Sequence, residues 1–235
     1  MDEKKSSASL AFVPENPDLD DLVRAAAECT ACPLYKHATQ TVFGEGPTPA
    51  ALMFVGEQPG DQEDKQGHPF VGPAGRVLDE ALDAADIPRD QVYVTNAVKH
   101  FKWEPRGKRR LHSKPNAVEI LACNGWLQAE IAVVKPQLIV CLGATAAQTF
   151  LGRKFSITRQ RGEVLVGAPW AEHILATYHP SAVIRMIRDE DAYEKMKAEL
   201  EADLEKAASM VTFRRSRSRS RQHNRLGHGR AGRAE

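Results

Sequence analysis

Ala51-Leu52-Met53-Phe54-Val55-Gly56-Glu57-Gln58-Pro59-Gly60 is the stretch on which the fold turns. An unbroken apolar run of this length, closed by a Gly/Pro-rich turn, reads as a strand buried on both faces. The same signature returns at 92–98, 138–142 and 174–178. Helical patterns fill the gaps. Pro73 suits the first turn of a helix with Val77, Leu78, Ala81 and Leu82 on one side. A second helix opens near Pro115 and runs to about Val134, and a short one follows Gly143 to Leu151. A charged amphipathic helix from Asp189 to about Ser209 closes the folded part, and Asp18 or Asp20 caps a short helix ending near Glu28. Strands alternating with helices predict the α/β class, with a mainly parallel sheet covered on both faces.

The chain of 235 residues has room for one domain or two. Residues 1–16 read as a flexible lead-in, 17–210 as the folded domain and 211–235 as a disordered tail. Residues 214–235 hold eight Arg and one Glu, a net +7, so the remainder of a chain of net +1 carries −6. A segment so poor in apolar residues cannot offset its own ordering entropy. The tail adds sequence-blind attraction to phosphates, or it only improves solubility. No run of about 18 apolar residues predicts a membrane span. The N-terminal MDEKKSSASL lacks the apolar core of a secretory signal, which points to the cytoplasm.

In sheets of this kind the chemistry gathers at the carboxyl ends of the strands. Those ends carry Glu57 and Gln58, Asn96, the segment around His112, and His179. Between Lys99 and Lys114 stand seven Lys/Arg and one acid, Glu104, with Phe101 and Trp103 interleaved; the tract Lys108-Arg109-Arg110-Leu111-His112 ends in a histidine. A solvated charged loop would look like this. So would a nucleic-acid contact, where cations meet phosphates and rings stack on bases.

The cysteines are Cys29, Cys32, Cys123 and Cys141. Outside oxidising compartments, metal ligation and plain burial are the contenders. A lone C-x-x-C such as Cys29-x-x-Cys32 is shared by zinc sites, redox motifs and clusters, and single cysteines in a helix or buried strand are commonly small hydrophobes.

Taken together, Gly56-Glu57-Gln58-Pro59-Gly60, Gly67-His68-Pro69-Phe70-Val71-Gly72-Pro73-Ala74-Gly75, Asn96 and His179-Pro180-Ser181 resemble, in order, the motifs of family 4 uracil-DNA glycosylases. Two departures, Gln58 in place of the usual alanine and the Lys108–His112 tract, resemble the UdgX-type subgroup, whose loop reads KRRIH. The resemblance spans about Cys29 to Arg185. It implies an α/β/α sandwich around a four-stranded parallel sheet, a [4Fe-4S] cluster on Cys29, Cys32, Cys123 and Cys141, and a monomer acting on uracil-containing DNA. It also implies that the protein stays covalently joined to the deoxyribose through the tract's histidine.

On that resemblance the residues take roles. Phe70 stacks on a flipped base, and the amide of Asn96 matches N3–H and O4 of uracil, an edge that cytosine inverts. The turn through Gln58 and Gly60 helps hold the base. His179 donates to uracil O2 as the glycosidic bond breaks. His112, expected to stay neutral beside Lys108, Arg109 and Arg110, attacks the sugar, while Glu57 orients its ring. Gln58 tightens the loop and leaves less room for water. Lys108, Arg109, Arg110 and Ser181 are expected to contact DNA, with Arg110 as either loop anchor or phosphate contact. Read without the resemblance, Phe70 is core, Asn96 a strand-end turn former and His179 a helix-start residue.

Overall fold

The computed structural model describes residues 7–166 and 170–213; most of the Arg/Ser tail lies outside the described residues. Reading along the chain, α1 (Leu19–Ala27) is capped by Asp18 in a reciprocal capping box with Asp21. Strand β1 (Leu52–Gly56) is followed by α2 (Asp61–Gln66) and α3 (Pro73–Ala84), then by β2 (Val92–Asn96). Two short strands come next, β3 (Trp103–Arg106) and β4 (Arg109–His112), and then the long helix α4 (Ala117–Val134). The remainder is β5 (Leu138–Leu142), α5 (Ala144–Leu151), α6 (Ile157–Gln160), β6 (Val164–Val166), β7 (His173–Thr177), α7 (Pro180–Arg185) and α8 (Glu190–Ser209).

The main sheet has the order β2-β1-β5-β7-β6. The first four strands are parallel, as expected, and β6 adds a fifth, antiparallel to β7 at the edge. Side chains alternate across the sheet. Leu52, Phe54, Val94, Val140 and Leu175 face a core closed by α3, α7 and α8. Met53, Val55, Tyr93, Ile139 and Cys141 face a core closed by α4 and α5. This is the period-2 geometry of a strand buried on both sides, and the result is the three-layer α/β/α sandwich.

A further apolar cluster joins α1 and the loop after it to α4, through Leu22, Cys29, Cys32, Cys123 and Trp126. Helix α4 therefore buries two faces, which explains why its sequence is apolar all round. By length and composition it could cross a membrane, with a mean hydropathy of 1.3, although Glu119, Asn124, Gln128 and Glu130 interrupt its apolar run. Here it is a core helix, and its Glu130 is fully buried. The lead-in is also more ordered than expected. Residues 8–12 form a 3₁₀ turn against α4, where the Ser7 hydroxyl donates to Ala122 O and accepts from Gly125 N–H, both at 2.8 Å.

The basic tract is a strand rather than a loop. β3 and β4 form a two-stranded antiparallel hairpin that pairs Trp103 with His112 and Pro105 with Arg110, turning at Gly107.

Candidate active site

The carboxyl ends of β1, β2 and β7, the start of α5 and the end of the hairpin surround one pocket of about 360 Å³. It is bordered by Glu57, Gln58, Gly60, Phe70, Asn96, His112, His179 and Ser181, among others. Seven of the predicted site residues thus lie with Ser181 in one cavity, although they come from five separated segments of chain.

Asn96 ends β2, opposite Gly56 in the parallel register. It is almost fully buried, and its side chain makes no hydrogen bond among the described residues, so the amide is available to a ligand. A β-carbon on Gly56 would stand 2.3 Å from the Asn96 Oδ1 and 2.9 Å from the Phe70 ring, so only glycine fits there. Phe70 is buried and holds a positive φ of 58°, a conformation that costs a bulky residue on the order of 1 kcal/mol or more. Gly75 packs directly on its carbonyl, and Glu63 accepts the Gly72 N–H at 2.7 Å, fixing the loop that carries the ring. The Phe70 and His179 rings lie 6.3 Å apart at 28°.

His179 caps α7, and its Nδ1 accepts the Ser181 N–H at 3.1 Å, with the Ser181 hydroxyl at 2.8 Å. An accepting Nδ1 places the ring proton on Nε2. Burial, with Arg185 and His112 nearby, pushes the His179 pKa down to about 4. The ring is therefore neutral at ordinary pH and carries one N–H to donate. Ser181, expected at the DNA, fixes this tautomer.

On the opposite wall His112 ends β4, half exposed, with Nε2 3.4 Å from Glu57 Oε1. That is an ion-pair distance, longer than a good hydrogen bond. The other carboxylate oxygen of Glu57 accepts from the Thr145 hydroxyl at the start of α5. One ring nitrogen of His112 thus faces an oriented carboxylate, and the other has no hydrogen-bond partner among the described residues.

The hairpin is held by polar ties. Gln58 donates to Lys102 O and Ser113 O, both at 3.1 Å, and accepts from Lys102 N–H at 3.2 Å, clamping the two strands at their base. Its amide is spent on this clamp and does not face a base. Arg110 points inward: it donates to Asp61 at 2.7 Å and to the fully buried Asp64 at 2.6 Å. Its guanidinium also lies 5.4 Å from the Phe101 ring and 5.5 Å from that of Trp103. Of the two readings of Arg110, the structure takes the anchor and leaves no free guanidinium for phosphate. Lys108 and Arg109 are exposed at the hairpin tip without an ion-pair partner among the described residues.

Residues 43–205 match the family model described as the uracil DNA glycosylase superfamily. The chain belongs to the uracil-DNA glycosylase superfamily. A type-4 uracil-DNA glycosylase of Thermotoga maritima is 40% identical over 187 residues, covering 78% of this chain and 90% of that protein. Type-4 uracil-DNA glycosylases of Archaeoglobus fulgidus and Saccharolobus solfataricus are 37% and 34% identical, with 75% and 78% of this chain and 88% and 87% of theirs aligned.

Within this superfamily member the four cysteines do not form one set. Cys29, Cys32 and Cys123 share the cluster beside α1, where Trp126 Nε1–H reaches Cys29 and Lys99 N–H reaches Cys123, both at 3.2 Å. Cys141 lies on β5 in the core between the sheet and α4/α5. Burial alone pushes its thiol well above the usual range. The expected four-thiolate site therefore loses Cys141, a buried strand residue acting as a small hydrophobe. Among the described residues no group of three His, Cys, Asp or Glu side chains stands ready for a single metal ion.

Several functional neighbours escaped the sequence reading. Thr145 acts through Glu57, 88 residues away, and carries no local signal; Glu63 acts on the Gly72 N–H nine residues on, a contact that no sequence pattern marks. Buried His100 sits next to Lys99, whose N–H reaches Cys123. Lys99 and Glu130 form a fully buried ion pair, and the Lys99 ammonium donates to Asn96 O at 2.7 Å beneath the pocket.

Proposed function

We propose that this protein excises uracil from DNA and then captures the abasic sugar on His112. Membership of the superfamily and the type-4 relatives support the excision. The observation that carries the capture is the placing of His112, backed by Glu57, in the same pocket as Asn96, Phe70 and His179.

A uracil flipped into the pocket stacks on Phe70 and pairs its N3–H and O4 with the Asn96 amide. As the C1′–N1 bond breaks, its electron pair leaves with the base, and the charge on O2 is met by the Nε2–H of neutral His179. A preorganised donor of this kind stabilises the transition state by about 2.7–4 kcal/mol. The lone pair of a His112 ring nitrogen then forms the bond to C1′. The imidazolium that results is stabilised by Glu57, its ring proton passes to solvent, and the departed uracil anion takes up a proton. Lys108 and Arg109, unpaired at the hairpin tip, are the cations proposed for phosphate.

We also propose an iron–sulfur cluster on Cys29, Cys32 and Cys123, whose sulfurs include two that already accept N–H bonds, with buried His100 as the non-cysteine donor. Such a group would tie the loop after α1 to α4, and it takes no part in the steps above. Iron analysis checks the ligand set: Cys141→Ala should retain iron, whereas Cys123→Ala should lose it.

The adduct is tested by mixing the protein with single-stranded uracil-containing DNA and denaturing in hot detergent. A shifted band that disappears in His112→Ala is expected. Free abasic DNA with repeated turnover and no shifted band would leave an ordinary hydrolytic glycosylase. DNA binding indifferent to uracil, with no base released, would leave a non-catalytic binder.

A further inference from the structure

A second groove, of about 470 Å³, lies beside the pocket between the start of α4 and the outer side of α5. The two share Lys114 and Thr145, so the groove opens directly where Glu57 is held. Its floor is apolar, with buried Pro115, partly buried Ile120 and Leu121, the last 39% exposed. Its rim carries Lys114, Asn124 and Arg153. Neither cation has an ion-pair partner among the described residues, in contrast with Arg110 and Lys102, which are both tied down.

On the other side of the pocket, beyond Phe70, a third depression is lined by Glu45, Asp79 and Asp90 together with Arg76 and Arg89. There Arg89 is already paired with Asp79. A phosphodiester leaving the pocket in that direction meets three carboxylates against two arginines, one of them already paired, whereas the lining of the groove toward α5 holds no carboxylate. Leaving toward α5 it meets two free cations, and its base meets an apolar floor. The volume suits a molecule about the size of one nucleotide.

We infer that the groove between α4 and α5 binds the nucleotide adjoining the flipped uridine, on one side of the strand only, with Lys114 and Arg153 on its phosphates. The inference rests on the glycosylase reading and adds to it a one-sided strand path. It treats Asn124 as a polar contact and Leu121 as the surface under the neighbouring base.

The test compares the full chain with an Arg153→Glu/Asn124→Asp variant, neither residue of which lines the pocket. Uracil release is measured as kcat/KM across a salt series, on single strands extended only 5′ or only 3′ of the uridine. On one of the two substrates the variant should lose about tenfold at low salt. Its log–log salt slope there should flatten by about 0.7, the loss of one single-strand phosphate contact. On the other substrate it should match the unsubstituted protein, and Arg153→Lys should restore both values. An equal loss on both substrates, or no loss on either, would overturn the groove assignment. Absence of uracil release from the unsubstituted protein would overturn the glycosylase reading beneath it.

Discussion

Asn96 and His179 stand at the ends of strands whose central residues are all buried, whereas His112 stands at the end of a hairpin strand that is largely exposed. The first pair inherits its position from the sheet. β2 and β7 are locked by parallel pairing and by apolar layers on both faces, so the amide and the imidazole are placed by the core. The histidine of the hairpin is placed by side-chain ties: Gln58 across its base, Arg110 on Asp61 and Asp64, and the Trp103 Nε1–H on His37 O at 2.9 Å. One half of the pocket is fixed by the fold as a whole. The other half is added to it, and a few polar contacts decide where it sits. Changes to the sheet end should therefore damage base release, and changes to the hairpin ties should damage capture while sparing release.

The sharpest contrast comes from Asn96→Ala. Losing two hydrogen bonds to the base, each contributing about 1 kcal/mol or more in a dry site, should lower uracil release about 100-fold, read as kcat/KM on single-stranded substrate. Arg110→Ala should act on the other half. Removing a charge-assisted anchor and stranding buried Asp64 costs on the order of 1.5–3 kcal/mol. Adduct formation in single-turnover experiments should slow about 10- to 100-fold while uracil release changes less than threefold. Equal losses in both steps would dissolve the comparison.

The sheet end also predicts a pH signature. His179 is held neutral with its pKa lowered to about 4, against 6.5 for a free histidine. Between these values the unfolded chain binds the proton first, so stability falls as pH drops from about 6.5 toward 4. The loss is on the order of 3 kcal/mol, and denaturant titrations of His179→Asn should show a flatter profile over that window. The smallest effect is expected from Gln58→Ala. Its three hydrogen bonds span the hairpin base but lie between partly exposed strands, and a net loss of about 1 kcal/mol translates into roughly fivefold slower capture.

The same division explains what the sequence made legible. The parallel strands announce themselves because burial on both faces demands continuous apolar runs, as in Leu52 to Val55 and Leu138 to Leu142. Asn96 and His179 follow, because they are the polar residues at the ends of such runs. β6 has three residues, none of them buried, and offers no such signal. The hairpin looks like a loop in the sequence because its charged residues hide the strand pattern, and an arginine inside a basic tract gives no sign of facing inward. Arg110 turns in because Asp61, Asp64 and Thr39 meet it there, contacts with partners more than forty residues away. The resemblance groups Cys141 with the other cysteines, and nothing in its neighbourhood in the sequence separates it from them. Its place on β5 puts it on the sheet face toward α4, whereas Cys123 leaves α4 on the side of α1.

The central claim is that the hairpin histidine becomes bonded to the sugar that the sheet end has stripped of its base. Mass spectrometry of the protease-digested reaction with a uracil-containing oligonucleotide tests it most directly. A peptide containing His112 that carries the deoxyribose remnant on the imidazole is the predicted result. The same peptide found only unmodified, in a reaction that has released its uracil, would contradict the account.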